Sequence, residues 1–233
     1  MAFEPDPWLS DVLGRPAYLA PGIPTRLLPA RGPGLYTVRV GSEKIAALKT
    51  WLRAGFRLVD VAVTMERRPG SASLSRTCRV RPLAARDIPS LRSWVGGAFA
   101  CSRFHLDPEF DLRSAARIKR AWVEEILAGR RADRVWVGVS GGRVSGFLAR
   151  RIVRENRCRV GVLDLMAVRP TDRGRGVGAA LIRGFVRHSA LDCDLLRVGT
   201  QAANAPSLRL YDRCGFVVTA TQFVLHSHWR GGK

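Results

Sequence analysis

The stretch "VRPTDRGRGVGAAL", residues 168–181, sets Gly174, Gly176 and Gly178 at alternate positions, with Arg173, Arg175 and Val177 around them. Backbone N–H groups in a tight glycine turn at a helix N-terminus form an anion site, and the helix dipole adds to it. The glycines remove Cβ atoms that would hold phosphate oxygens away, and Arg173 and Arg175 can pair with those oxygens. A second group follows at Asn204, Ser207, Leu208 and Tyr211. Spacings of i, i+3, i+4 and i+7 put these four on one stripe of a helix. A stripe that mixes amide, hydroxyl and phenol is wet or functional on at least one edge.

Three kinds of phosphate loop compete for the turn. A Walker A loop requires Lys-Ser/Thr after its last glycine, and Ala179-Ala180 stand there instead. The dinucleotide fingerprint fits in a loose form, Gly174-x-Gly176-x-x-Ala179 with Asp194 beyond it. That motif turns directly from strand to glycine and belongs to the first βαβ unit, whereas "RPTDR" intervenes here, three strands in. The third form, R-x-x-G-x-G, is met by Arg173 to Gly178 after a strand ending in "AVRP".

The elements that position these groups read as two units. Residues 1–34 are Pro- and Gly-rich and predict turns with short edge strands. "LYTVRV" (35–40) alternates as a strand, "SEKIAALKTWLRAG" predicts a helix from Ser42 as N-cap to Gly55, and 56–67 returns as a strand. Residues 68–75 are small and polar and read as a linker. The second unit opens with a strand at 76–83, then helices over 85–100 and 112–128. Two strands follow, joined by Gly141-Gly142 as a two-residue hairpin turn. "RVGVLDLMAV" (159–168) predicts a covered central strand, 176–190 a helix, 195–200 a strand. A short helix capped by Asn204 and closed by Gly215 precedes a final strand, near whose end His226 and His228 are expected to be structural. "WLRAGFRLVD" and "YDRCGFVVTA" align without a gap, Trp51 on Tyr211, Gly55 on Gly215 and Phe56 on Phe216, a common offset of 160 residues. Either helix–Gly–Phe–strand is a shared packing device, or residues 1–67 are a degenerate copy that lacks the glycine turn.

Composition bounds the rest. The 233 residues, 46% hydrophobic, suffice for one large domain or two small ones. No apolar run reaches the length of a membrane span, and "MAFEPDPWLSDVLG" has no basic n-region, so a cytoplasmic protein is expected. Five scattered cysteines form no CxxC, which predicts neither a disulfide framework nor a zinc site. A net charge of +20 suits nucleic acid, anionic small molecules or a merely Arg-rich composition, and alone decides nothing.

The R-x-x-G-x-G turn after its strand resembles that of the GCN5-related N-acetyltransferase (GNAT) superfamily, where it binds the pyrophosphate of coenzyme A. "NAPSLRLYDRCGF" (204–216) is similar to the superfamily's N-x-x-S/A-x-x-L-Y-x-x-x-G-F. The resemblance implies an α/β GNAT fold over 76–233, a mixed and mostly antiparallel central sheet flanked by helices, preceded by a truncated GNAT-like unit over 1–67. It implies acetyl-CoA as co-substrate and no metal. Backbone N–H groups around Met166, Ala167 and Val168 would polarise the thioester carbonyl. The turn from Arg173 through Gly174, Arg175, Gly176, Val177 and Gly178 would hold the phosphates, with Asn204 and Ser207 on the pantetheine arm. Tyr211 would protonate the departing thiolate. The general base is open: Asp164 is the only carboxylate in its strand, many superfamily members place a base where Val162 stands, others use water, and His105 is a further candidate.

The segments "ARDIPSLRSWVGGAFACSRFHLDPEF", "AWVEEILAGRRADRVWVGVSGGRVSGFLARR" and "WLSDVLG…EKIAALKTWLRAGFRLVDVAVTMER" are similar to the dTDP-fucosamine acetyltransferase group. Val12-Leu13-Gly14 departs from the two Phe that often precede this Gly in the group. This resemblance implies a nucleotide-linked 4-amino-4,6-dideoxy sugar as acceptor, bordered by Arg103, Phe104, His105 and Trp122. Arg103 would meet a diphosphate and Phe104 a base or sugar face; the alternative for Phe104 is packing inward. The alternatives are another amine, such as a protein N-terminus, a lysine or an antibiotic amine, and a non-catalytic nucleic-acid binder; a homodimer is compatible with each.

Overall fold

The computed structural model describes residues 3–20, 22–23, 32–70 and 78–231. Residues 71–77, most of the expected linker, lie outside them. In chain order the elements are β1 (Glu4–Pro5), α1 (Pro7–Leu13), β2 (Ala17–Ala20), β3 (Gly34–Gly41), α2 (Ile45–Arg53), β4 (Arg57–Arg67) and β5 (Arg79–Pro82). Then come a 3-10 turn (Ala85–Asp87), α3 (Ile88–Val95), α4 (Arg103–Leu106), α5 (Leu112–Leu127), β6 (Arg134–Ser140), β7 (Arg143–Glu155) and β8 (Cys158–Val168). A second 3-10 turn (Pro170–Asp172), α6 (Val177–Ser189), β9 (Leu195–Gln201), α7 (Ala205–Arg213) and β10 (Val217–Trp229) complete the chain.

All ten strands join one sheet in the order β1-β2-β3-β10-β4-β9-β8-β7-β6-β5. Only β2–β3 and β8–β9 pair in parallel; the other pairings are antiparallel. Strands that alternate apolar residues to both faces require cover on both. One face packs Val63, Met65, Leu148, Leu163 and Val198 against Leu181, Ile182 and Phe185 of α6 and Tyr211 of α7. The opposite face packs Phe147, Ala149 and Leu165 against Leu91 of α3 and Val123 of α5.

Two expectations at the start of the chain are corrected. Ser42 does not cap α2: Lys44 is the cap residue, while Ser42 Oγ is 2.5 Å from Thr221 Oγ1 of β10. The N-terminal stretch contains α1, with Asp6 as N-cap bonded to Leu9 N, Pro7 in the first turn and Gly14 left-handed at the end. The hairpin turn holds both expected glycines at positive φ, 55° for Gly141 and 75° for Gly142.

The last strand, β10, is inserted between β3 and β4. The offset of 160 residues holds through this arrangement. Ala62 pairs with Gln201 as Gln222 pairs with Gly41, and the match continues to Glu66–Arg197 and His226–Thr37. The bulge that omits Val59 from the β4–β10 ladder has its mate in the one that omits Thr219. Helix α2 maps onto α7 end to end, and Gly55 and Gly215 follow them at φ 83° and 79°. A pseudo-twofold axis therefore passes through the Ala62–Gln222 pair, perpendicular to the sheet.

His226 and His228 on β10 both bond one carboxylate, Asp107 Oδ2, at 2.7 and 2.8 Å. Arg15 approaches His228 Nδ1 at 2.9 Å and, having only donors, makes that nitrogen an acceptor. Among the described residues these three are the group whose types could ligate a metal, and here they bind one another. Burial pulls the His226 imidazole down to about 4, against the bond to Asp107, which raises it. The unfolded chain, with an ordinary imidazole near 6.5, therefore binds this proton first, and stability is lost as pH falls from about 6.5 toward 4. We expect the His226 contribution to drop by about 2–3 kcal/mol between pH 7 and 4.5. Urea unfolding of the protein and of His226→Gln across that range checks it: equal pH slopes would refute the assignment.

Candidate active site

Strands β8 and β9 pair only from Val160–Leu195 to Val162–Arg197. Beyond that they splay, while β8 stays paired to β7 as far as Val168. The β8 edge over Leu163 to Val168 thus turns backbone N–H and C=O groups toward an open wedge, and unpaired backbone groups at such an edge seek a partner. The expected oxyanion segment, Met166 to Val168, lies on this edge.

The chain leaves β8 through the 3-10 turn and enters the glycine turn. Gly174 and Gly176 take φ of 75° and 81°, a region that side chains with a Cβ adopt only under strain. Gly176 is the N-cap of α6, and no side chain caps it. The first N–H groups of a helix have no partner within it, so those of α6 are left for an anion. Gly178, the last glycine of the turn, already lies in the first turn of α6. A Cβ there would come 3.2 Å from Leu210, so this glycine lets α6 and α7 pack closely. Arg175 is exposed and only loosely paired, 3.9 Å from Asp172. Arg173 donates to the Ala98 carbonyl at 2.6 Å and ties the turn to the loop after α3.

On α7, Asn204 Oδ1 accepts from Ser207 N at 3.4 Å and caps the helix, which commits one end of its amide. Tyr211 is 4% exposed, and among the described residues its hydroxyl has no hydrogen-bond partner. Burial, and secondarily Cys214, pushes the phenol above its ordinary range. It stays protonated at any working pH, so its proton is available to a strong base formed beside it.

Asp164 is the bulged residue of β8, skipped between the pairs Ala149–Leu165 and Arg150–Leu163. Trp122 Nε1 donates to its Oδ2 at 2.7 Å, Arg131 Nε to the same oxygen at 3.0 Å, and Arg151 Nε to Oδ1 at 3.2 Å. Both carboxylate oxygens are thus engaged, by two guanidinium groups and an indole. Its geometry is that of an anchor for Trp122, whose ring carries Arg131 at 4.0 Å and Lys119 at 4.5 Å.

Phe104 is corrected. It is 2% exposed and packs with Leu9, Leu35 and Ile118, so it fills the core beneath α4 and offers no face to a ligand. Arg103 beside it is pulled down to about 10 by burial and by Arg39, and its Nε is buried without a partner. His105 Nδ1 lies 2.7 Å from Ser102 Oγ. Arg103, His105 and Trp122 therefore border one buried region above the wedge, and sequence reasoning missed two further groups there, Asp60 and Lys119.

A cavity of about 680 Å³ lies near the other end of the pseudo-twofold, lined by Arg39, Gly41, Lys44, Thr221 and Gln222 among others. Its residues Gly41 and Lys44 are the mates of Gln201 and Asn204. It lacks the α6 equivalent, so no uncapped glycine-turned helix faces it.

An open strand edge, an uncapped glycine turn and a phenol with an uncommitted proton on the neighbouring helix are groups that acyl transfer from a thioester would call on. The model of the acetyltransferase (GNAT) family matches residues 98–216, about half of the chain, and the chain belongs to that family. Members of the family use acetyl-CoA, and the open edge and uncapped turn fit its thioester and its phosphates. The chain is 30% identical over 146 residues to the spore coat polysaccharide biosynthesis protein SpsD of Bacillus subtilis (strain 168). That match covers 62% of this chain and spans only 48% of the relative. It is 26% identical over 190 residues to the dTDP-fucosamine acetyltransferase of Escherichia coli O6:H1, covering 81% of this chain and 79% of that one. Among solved structures, a GCN5-related N-acetyltransferase from Sphaerobacter thermophilus superposes with a TM-score of 0.61 at 18% identity, over 88% of this chain and 63% of that one. No helix among the described residues is long and apolar enough to cross a membrane.

Proposed function

We propose that this acetyltransferase uses acetyl-CoA to acetylate the amino group of a nucleotide-linked amino-deoxy sugar, such as dTDP-4-amino-4,6-dideoxygalactose. The observation that carries the reading is the buried region above the β8–β9 wedge. It combines Lys119, which is buried, and Arg103, half-buried with its Nε buried and unpartnered, neither in an ion pair among the described residues, with the aromatic faces of Trp122 and Trp8. Unpaired buried cations are costly, and an anionic ligand offsets that cost. The name of the Escherichia coli relative supports a sugar amine as acceptor.

In this reading the turn from Arg173 to Gly178 cradles the phosphates of acetyl-CoA, with Asn204 and Ser207 beside the pantetheine arm. Backbone N–H groups of Met166 to Val168 polarise the thioester carbonyl. Tyr211 gives its proton to the departing sulfur. Residues 76–233 form the catalytic unit, and residues 1–67 are a truncated copy of its second half, joined through 68–75.

A thiol-release assay tests the acceptor. Acetyl-CoA is offered with dTDP-4-amino-4,6-dideoxygalactose, its glucose epimer, spermine and a lysine peptide. Release with a dTDP-amino sugar and with neither other amine is the expected result. Turnover of the peptide or spermine alone would overturn the acceptor class and leave the family assignment standing.

A further inference from the structure

Five carboxylates are buried at the side chain in the described structure, and four of them are spoken for. Asp87 is held by Arg81, Asp107 by His226 and His228, Asp164 by Trp122, Arg131 and Arg151, and Asp172 by Arg143. Asp60 is the exception. It is 7% exposed, and no Arg, Lys or His nitrogen among the described residues lies within 4 Å of it. A buried carboxylate without a charged partner is expensive, so its retention calls for a ligand that supplies one.

Its place in the fold says which ligand. Strand β4 lies next to β9, and Ala62 pairs with Gln201, the last residue of β9. Asp60 is two residues further on, at the open end of the wedge where β9 has left β8. Alternation puts Val63 and Met65 on the α6 face, and the bulge at Val59 leaves Asp60 on the opposite face, under α4. Around it stand Arg39 of β3, Arg103 of α4 and Cys101 in the loop before α4, each close enough to interact electrostatically. Cys101 also senses Lys119 of α5, and Lys119 senses Asp164 on β8. His226 of β10, on the same face, is committed to Asp107. Asp60, Cys101, Lys119 and Asp164 thus span the wedge from β4 to β8, over the thioester segment.

We propose that Asp60, contributed by the N-terminal unit, receives the acceptor's ammonium group and takes its proton. The inference rests on the amine acetylation put forward above. One ammonium N–H bond breaks, its proton bonds to a carboxylate oxygen of Asp60, and the electron pair stays on nitrogen for attack on the thioester carbon. The Asp60 proton then passes to water. The second nitrogen proton, lost as the amide forms, restores the Tyr211 hydroxyl that protonated sulfur. Asp6 also faces Arg103, and Asp164 faces Lys119, but Asp60 is the carboxylate left without an ion-pair partner among Arg39, Arg103 and Lys119, which suits a substrate with a cationic amine at one end and anionic phosphates at the other. Burial pushes the Asp60 carboxyl up, which brings its basicity nearer to that task. The pseudo-twofold mate of Asp60 is Ala220, so the N-terminal copy has no second such site.

The test is Asp60→Asn, assayed with whichever amine the wild-type protein acetylates. We expect kcat/KM for the amine to fall about 10²- to 10³-fold at neutral pH, with acetyl-CoA affinity by calorimetry within twofold of wild type. The deficit should shrink as pH rises toward the pKa of the amine, because a substrate already neutral needs no base. A structural role would not produce that dependence. Should the Asn variant not fold, Asp60→Glu keeps the carboxylate and should retain the wild-type pH profile at a reduced rate. Asp60→Asn with wild-type kcat/KM, or with a deficit constant across pH, overturns the assignment of Asp60 alone. A wild-type protein that acetylates no amine overturns the functional reading beneath it.

Discussion

Tyr211→Phe is expected to lower kcat at least 10²-fold while leaving the Kd for acetyl-CoA within twofold. The thiolate released from a thioester has a pKa near that of cysteine, about 8.5, and expelling it without a proton raises the barrier. A positioned acid is worth about 10²- to 10⁴-fold, or roughly 3–5 kcal/mol of barrier. Phe keeps the packing of a residue 4% exposed, lying 6.1 Å from Phe216, and removes one hydroxyl that has no partner to strand. Folding should therefore be nearly unchanged. The decisive comparison is with an acetyl thioester whose thiol is much more acidic. If Tyr211 protonates sulfur, the Phe variant should recover most of its deficit on that substrate. Equal deficits on both thioesters would remove Tyr211 from the acid's role.

Arg150→Met is the substitution with the largest expected loss of stability. Arg150 lies in β7, 2% exposed. It forks to Asp192 at 2.7 and 2.9 Å, reaches Asp133 at 2.5 Å and Ser189 at 3.1 Å, and lies over the Trp136 ring. Burial works against its charge, yet the bonds to Asp192 and Asp133 outweigh it and hold the guanidinium above its ordinary range. Removing one partner of a buried ion network costs about 3–5 kcal/mol. Both aspartates keep about a third of their side-chain surface and can rehydrate, so the lower end, about 3 kcal/mol, is expected. For a chain of this size that is a fall in Tm of about 6–12 °C. Arg150→Lys should recover only part of it, since an ammonium cannot serve two carboxylates in fork geometry. Denaturant unfolding of both variants measures this, and a Met variant within 1 kcal/mol of wild type would show that the network contributes little.

The parts of the site that were legible in the sequence are those built from neighbours along the chain. Gly174 and Gly176 had to be glycine because the turn needs positive φ, and the Asn204–Tyr211 stripe was fixed by helical spacing. Helix α1 carried readable signals too, Asp6 and Pro7 at its start and Gly14 at its end, but the surrounding prolines masked them. What could not be read depends on contacts made across long separations. The three donors to Asp164, from Arg131, Arg151 and Trp122, are brought to it only by the fold. Phe104 could face a ligand or the core with the same local sequence, and α1 settles it by covering the inner side. Asp60 was invisible because nothing near it in sequence says that β4 lies beside β9. The ungapped repeat was visible, but only the paired registers show that it extends to strands, bulges and helix ends alike.

The insertion of β10 between β3 and β4 also sets the order in which the chain can be completed. During synthesis the N-terminal strands emerge first, yet their shared neighbour is made about 160 residues later. Until then β3 and β4 each present a bare edge, the kind of surface that recruits other chains. Closing the sheet requires contacts at large sequence separation, which slows folding. The nascent protein should therefore depend on chaperone cover late in translation, and trimming β10 should yield aggregation of the whole chain rather than loss of one end.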